Sequence, residues 1–204
     1  MTRPSESKRL QQWLLPLLII AVIIAIIYAA IRDNFHVVVN NQVYRSAQLP
    51  ESTLKMLVHL KGIKTIVNLR GANLNEDWYM QEIKTANLLQ VKHFDLALKS
   101  RKLPNMAELK SLTDIIQTAP KPILLHCLSG SDRTGFASAM SMILLENAPL
   151  EKAEGQFSWR YFVTSDKTIG KQVFTLYQQW LAAYHKKNDK TNFLKWVQSA
   201  HPLG

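Results

Sequence analysis

Apolar residues fall into two regimes along the chain. Residues 14–31 read LLPLLIIAVIIAIIYAAI, eighteen positions without a charge or a strongly polar side chain. A helix of that length is roughly 27 Å long, close to the ~30 Å hydrocarbon thickness of a bilayer. Trp13 and Tyr28 stand near its ends, where amphipathic rings favour an interface, and Pro16 falls in the expected first turn, where proline is tolerated. From residue 35 onward, short apolar clusters alternate with helical spacings. Val37-Val38-Val39 and Val43-Tyr44-Arg45 around Asn40-Asn41 predict a hairpin. Residues 52–60 predict a helix capped by Ser52 or Thr53 and stopped by Gly62. The β-branched run 63–69 predicts a strand, 75–88 a helix, 91–98 a strand, and 105–117 a helix entered after Pro104. Residues 122–126, PILLH, form a continuously apolar strand of the kind buried on both faces. A small-residue, apolar helix is expected over 134–146, an amphipathic one over 171–184, and a short one over 192–197.

This alternation predicts an α/β fold: a mainly parallel central sheet flanked by helices, preceded by one N-terminal transmembrane helix. The expected domains are a short basic tail at 1–12, an anchor at 13–31 and a globular domain at 35–204. A cleaved signal peptide competes with the anchor, but the apolar run exceeds the usual ~7–15 residue signal core and no A-x-A site follows. Arg3, Lys8 and Arg9 precede the run, against Arg32 and then Arg45 after it. Positive-inside logic therefore expects a single-pass protein with a cytoplasmic N-terminus; in a bacterium this is the inner membrane, with the domain in the periplasm.

The 204 residues are 47% apolar and 20% charged, enough for a substantial core, with a net charge of +10. That excess favours anionic partners: a membrane surface or a phosphorylated molecule. Without interleaved basic and aromatic residues, nucleic acid is not expected. One cysteine excludes an intramolecular disulfide and a multi-cysteine zinc site.

That cysteine stands at a strand-to-helix junction, His126-Cys127-Leu128-Ser129-Gly130-Ser131-Asp132-Arg133-Thr134-Gly135. A tight loop from a buried strand into a helix aims successive backbone N–H groups and a helix N-terminus at one point, an anion site. The same field, with Arg133 beside it, favours a thiolate placed for in-line attack on a bound phosphoryl group. Gly130 permits the turn, and Arg133 offers a fork for two phosphoryl oxygens that lysine does not copy. The Thr134 hydroxyl is placed to donate to the sulfur as the phosphocysteine breaks down.

His126-Cys127, five residues, then Arg133-Thr134 resembles the H-C-x5-R-[ST] signature of the protein tyrosine and dual-specificity phosphatase superfamily. The likeness extends to Val43-Tyr44-Arg45-Ser46-Ala47-Gln48, to residues 62–70, to Gly130-Ser131-Asp132-Arg133-Thr134-Gly135 and to Gln156-Phe157-Ser158-Trp159-Arg160-Tyr161, which fit a compact bacterial branch. The resemblance implies a dual-specificity phosphatase-like fold and hydrolysis of phosphomonoesters through a phosphocysteine on Cys127. It implies phosphate binding by Leu128, Ser129, Gly130, Ser131, Asp132 and Arg133, and no metal or other cofactor. A phosphorylated protein is the substrate it implies first, and a membrane phospholipid the alternative.

The proton donor is less plainly written. The superfamily supplies an aspartate from a loop upstream of the cysteine. Asp95 is thirty-two residues ahead but lies in a strand-like run, and the following loop, Lys99-Ser100-Arg101-Lys102-Leu103-Pro104, holds no acid. Asp132 inside the phosphate loop is the rival. His126 is expected to position the loop, Arg70 to form an ion pair or to assist binding, and Lys99, Arg101 and Lys102 to make a solvated basic loop. Trp78, Tyr79, Trp159 and Tyr161 are expected as packing residues. Two further readings belong to other classes: a silent phosphate-binding module, disfavoured by retention of both Cys127 and Arg133, and a sulfurtransferase, which the cysteine-to-arginine spacing fits less well.

Overall fold

A computed structural model describes residues 6–100 and 102–199. Helix α1 (Glu6–Asp33) leads into an antiparallel pair, β1 (His36–Val39) and β2 (Val43–Ser46). Then follow α2 (Glu51–Lys61), β3 (Thr65–Asn68), α3 (Asp77–Leu88), β4 (Lys92–Asp95), α4 (Met106–Thr118) and β5 (Ile123–His126). The chain continues through α5 (Asp132–Glu146), α6 (Leu150–Glu154), two single 3-10 turns, α7 (Ile169–Ala183) and α8 (Lys190–Gln198). The sheet order is β1-β2-β5-β3-β4, parallel everywhere except at the β1-β2 hairpin. The sheet is mixed but mainly parallel, its antiparallel pair being the hairpin expected around Asn40-Asn41.

β5 sits at the centre, paired on both sides, which is why its four residues are all buried and all but the last apolar. Alternate side chains leave opposite faces: Ile123 and Leu125 enter the larger core with α4, α5, α7 and α8, while Leu124 joins the smaller one under α2 and α3. Helix α5 crosses the larger core and buries Phe136, Ala137, Ala139, Met140, Ile143 and Leu144, hence its lack of a polar face. It begins at Asp132, two residues before the expected start.

Caps were partly legible. Gly62 ends α2 in the left-handed region at φ 62°, but the helix opens at Pro50 with no side-chain cap, so Ser52 and Thr53 lie inside it. Asn105 and Glu108 close a reciprocal capping box on α4. Trp159, expected as a packing residue, is 83% exposed, whereas Tyr161 two residues on is buried. A 3-10 turn over Trp159–Tyr161 separates the two rings, an element that the helix and strand periodicities do not signal.

Helix α1 is longer than the apolar run, and Pro16 lies inside it rather than in its first turn. Its described side chains at 14, 15, 17–20, 22–24 and 28 are exposed. Among the described residues, no helix is long and apolar enough to cross a membrane. The expected crossing over 13–31 thus lacks that support; the side chains at 13, 25–27 and 29–31 lie outside the description.

Candidate active site

Parallel register brings the C-terminal ends of β2, β5, β3 and β4 to one edge: Ser46 and Asn68 flank His126, and Asp95 lies beyond Asn68. Cys127 follows directly from β5, is 2% exposed and carries a free thiol. The loop from there to α5 has its carbonyls tied back one after another. Leu128 O accepts from the Gln48 backbone N–H at 3.1 Å, and Ser129 O from Asn34 Nδ2 at 3.0 Å. Gly130 O and Ser131 O accept from Arg45 Nη2 at 2.6 and 3.4 Å. With four successive carbonyls engaged in this way, the loop N–H groups have no acceptor among the described residues and remain available to an anion at the start of a fifteen-residue helix. Gly130 is required twice over: its φ is +69°, and a Cβ there would lie 2.7 Å from the Ser46 carbonyl and the Ala47 nitrogen.

Arg133 rests away from the loop's hydrogen bonds, with Nη1 donating to Leu69 O at 3.4 Å and to Leu98 O at 3.3 Å. Both contacts are long and angled to backbone oxygens on the β3 and β4 exits. Arg70 stands beside it. Among the described ion pairs none involves Arg70; its guanidinium stacks 3.6 Å over Trp78 and reaches Gln48 Oε1 at 3.4 Å. Burial and the Arg133 charge push the Arg70 pKa down, while Cys127 and nearby glutamates push it up. The site edge thus carries two neighbouring cations, and the charge of Arg70 interacts with Cys127.

Behind the loop lies a carboxylate that sequence reasoning passed over. Glu82 on α3, 5% exposed, accepts at Oε1 from His93 Nε2 at 2.9 Å and from His126 Nε2 at 3.1 Å, and at Oε2 from Gln48 Nε2 at 2.7 Å. Burial alone would raise its pKa, but the His126 charge and these three hydrogen bonds hold it well below the usual carboxylate range. His126, the residue before Cys127, is thereby tied to α3. The signal was available: Glu82 falls three residues after Tyr79 and four before Ala86, in register with the buried stripe of α3. A group depressed in this way contributes stability above its unfolded value of about 4.5, and that stability is lost as pH falls below it. Glu82→Gln is therefore expected to lower stability at pH 7 by roughly 2–3 kcal/mol, with the gap to the parent closing below about pH 4. Thermal melts from pH 3 to 8 measure this.

The two acid candidates have different surroundings. Asp95 ends β4 with both oxygens engaged: Oδ2 accepts from Tyr79 OH at 2.6 Å and Oδ1 from Asn68 Nδ2 at 2.8 Å. These bonds cross-link β3, β4 and α3. Asp132 faces an open cleft of about 930 Å³ lined also by Ser100, Ser165, Asp166, Lys167, Thr168 and Gln172. Its Oδ1 accepts from the Ile169 N–H at the start of α7 at 2.9 Å. Burial raises its pKa against the opposing pull of the Gly170 and Ile169 amides and Arg133. Thr134 Oγ1 is fully buried and has no hydrogen-bond partner among the described residues. Lys99 and Lys102 are exposed, and Arg101 lies outside the described residues.

With this geometry in hand, the chain can be compared with known proteins. A family model described as "DSP-PTPase phosphatase fused to NAD+ Kinase" matches residues 25–148. The chain belongs to that family. It is a phosphatase of the protein tyrosine and dual-specificity type. Over 153 residues the phosphatase is 29% identical to "Probable NAD kinase 2, chloroplastic" of Oryza sativa subsp. japonica, covering 74% of this chain but 13% of that protein. Solved structures of the same fold include the catalytic core of the PP-IP phosphatase SIW14 from S. cerevisiae, with TM-score 0.58, 21% identity and coverage of 75% of this chain and 93% of that one. TpbA of P. aeruginosa gives 0.54, 23%, 70% and 83%, and PTPMT1 gives 0.52, 16%, 74% and 99%.

Proposed function

We propose that Cys127 is the nucleophile of this phosphatase, that Arg133 and the amides of residues 128–133 hold the phosphoryl group, and that Asp132 is the general acid. The observation that carries this reading is the run of four engaged carbonyls, which leaves the loop amides available to an anion in the segment that directly follows a single cysteine. The thiolate attacks phosphorus and the ester oxygen leaves with a proton from Asp132. Water then hydrolyses the phosphocysteine, its proton returning to Asp132. Asp132 suits the donor's part because it opens on the cleft and burial favours its protonated form, whereas both Asp95 oxygens already accept hydrogen bonds. Asp132→Asn still accepts from the Ile169 amide, so it isolates the proton. It is expected to lower kcat on an aryl phosphate about 10²-fold and to remove the alkaline limb of the rate profile; Asp95→Asn lowers the melting temperature and leaves that limb in place. An unchanged profile in Asp132→Asn would discard it as the acid.

For substrate we propose a phosphorylated protein side chain, tyrosine first; TpbA, which shares the fold, has been captured with pTyr. A second reading is a phosphate at a membrane surface. Asn34, the residue after α1, donates to Ser129 O in the catalytic loop, so whatever holds the exposed apolar helix lies close to the site. In this reading 13–31 anchors a domain spanning 35–204, with the catalytic face outside the cytoplasm of a bacterial cell. Turnover of phosphotyrosine peptides, phosphoserine peptides and anionic phospholipid vesicles by the full chain separates the two. Release of phosphate from peptides alone supports the first, and from vesicles alone the second. No release from an aryl phosphate by folded, reduced protein would leave only a silent phosphate-binding module.

A further inference from the structure

Arg45 on β2 is 0% exposed, and among the described ion pairs none involves it. Its acceptors are neutral: Gly130 O and Ser131 O on the catalytic loop, and Gln156 O and Oε1 at 3.2 and 2.7 Å. The guanidinium lies 3.8 Å from the Tyr161 ring centroid, and its Nε is buried without a hydrogen-bond partner. A buried cation satisfied only by neutral oxygens is costly to retain on structural grounds alone, because carbonyls replace its hydration only in part. Burial lowers its pKa to about 10, offset in part by Tyr161 and Cys127, so it is charged at neutral pH and its field reaches the cysteine.

We propose that Arg45 is a positioning residue with two separable parts in this phosphatase. Its forked N–H groups hold the Gly130 and Ser131 carbonyls outward, and its charge is the buried counter-charge of the Cys127 thiolate and of the phosphate bound above it. This rests on Cys127 being the nucleophile. The division of labour along the loop supports it. Asn34, a neutral donor, holds the Ser129 carbonyl, whereas the cation is placed on the two residues where the loop turns into α5.

The test uses the full chain, whose single cysteine makes alkylation a direct reading of Cys127 without reference to turnover. Iodoacetamide rates across pH 5–9 are measured together with kcat and KM on p-nitrophenyl phosphate, and folding is checked by circular dichroism and thermal melts. Arg45→Met is expected to cut the alkylation rate at pH 6 about tenfold, moving the profile to more alkaline pH, and to lower kcat about 10²-fold. Arg45→Lys keeps the charge and loses the fork; its alkylation profile stays in place while kcat falls about tenfold. Asn34→Ala lowers kcat several-fold with no movement of the profile. A folded Arg45→Met with the parent's alkylation profile overturns the counter-charge, and so does an Arg45→Lys profile displaced as far as that of Arg45→Met. If Arg45→Met does not fold, Arg45→Lys carries the test: parental kcat overturns the proposal, and a reduced kcat with an unmoved profile supports it. Persistence of turnover in Cys127→Ser is a separate result that removes the nucleophile reading itself.

Discussion

Replacing Cys127 with serine is expected to reduce turnover of any phosphomonoester by at least roughly 10⁴-fold while leaving the fold and phosphate binding intact. Cys127 is 2% exposed at the foot of the loop, and its neighbours on β5 are packed on both faces. An oxygen in its place changes little volume. Its hydroxyl is far harder to ionise than a thiol, however, and no described histidine is bonded to that position as a base: His126 Nε2 is committed to Glu82. In the proposed site main-chain amides hold the phosphate, so the serine protein should still bind product phosphate or substrate. Single-turnover kinetics and equilibrium binding of a phosphotyrosine peptide check both halves. Loss of binding along with turnover would mean that the side chain shapes the nest rather than supplying the nucleophile.

The second large effect is expected at Arg133. Its guanidinium rests on the Leu69 and Leu98 carbonyls through contacts of 3.4 and 3.3 Å, near the limit at which such bonds hold. Bonds of that quality contribute about 0.5–1 kcal/mol each at most, a barrier that a phosphate dianion repays easily with two charge-assisted bonds. The resting pose is thus a short step from one that engages two phosphoryl oxygens. Arg133→Lys preserves the charge but not the fork, and a 10²- to 10³-fold loss in kcat is expected, with a smaller rise in KM. A KM effect alone, with kcat unchanged, would mean that Arg133 binds ground state and transition state alike. Arg70 sets a useful contrast. Stacked on Trp78 and leaning on Gln48, it lacks the freedom of Arg133 and should show the KM effect preferentially.

The strand-loop-helix of the site was legible because its signals are local. An all-apolar strand, a single cysteine, a glycine and an arginine lie within a dozen residues, and central burial leaves such a strand little choice of place. The interactions that hold the loop were not legible, because they join residues far apart in the chain. Arg45 meets Gly130 across eighty-five positions, and Asn34 meets Ser129 across ninety-five. Periodicity places Arg45 on a strand but assigns its side chain no partner. Glu82 was overlooked for a related reason. A single acid in the buried stripe of a helix looks like an interruption until the histidines of two separate strands close on it. Trp159 failed in the opposite direction. Aromatic side chains are reasonably expected inside, yet a 3-10 turn presents this one to solvent and turns its neighbour Tyr161 inward.

The contact between Asn34 and the catalytic loop also governs how far the enzyme can act. Chains that carry a catalytic domain on a flexible stretch of tens of residues sweep a large volume, and their encounter rate depends on the length of the stretch. Here Asp33, the last residue of α1, accepts a hydrogen bond from the Ala47 N–H beside β2, and the next residue is bonded to the loop at the active centre. No slack separates the two parts. Were α1 the anchor proposed above, the radius of action would be set by the size of the domain itself, and substrates would have to come to the helix end rather than be sought at a distance. Inserting a flexible segment between α1 and Asn34 would lengthen that reach, and in doing so would loosen the very loop that performs the chemistry.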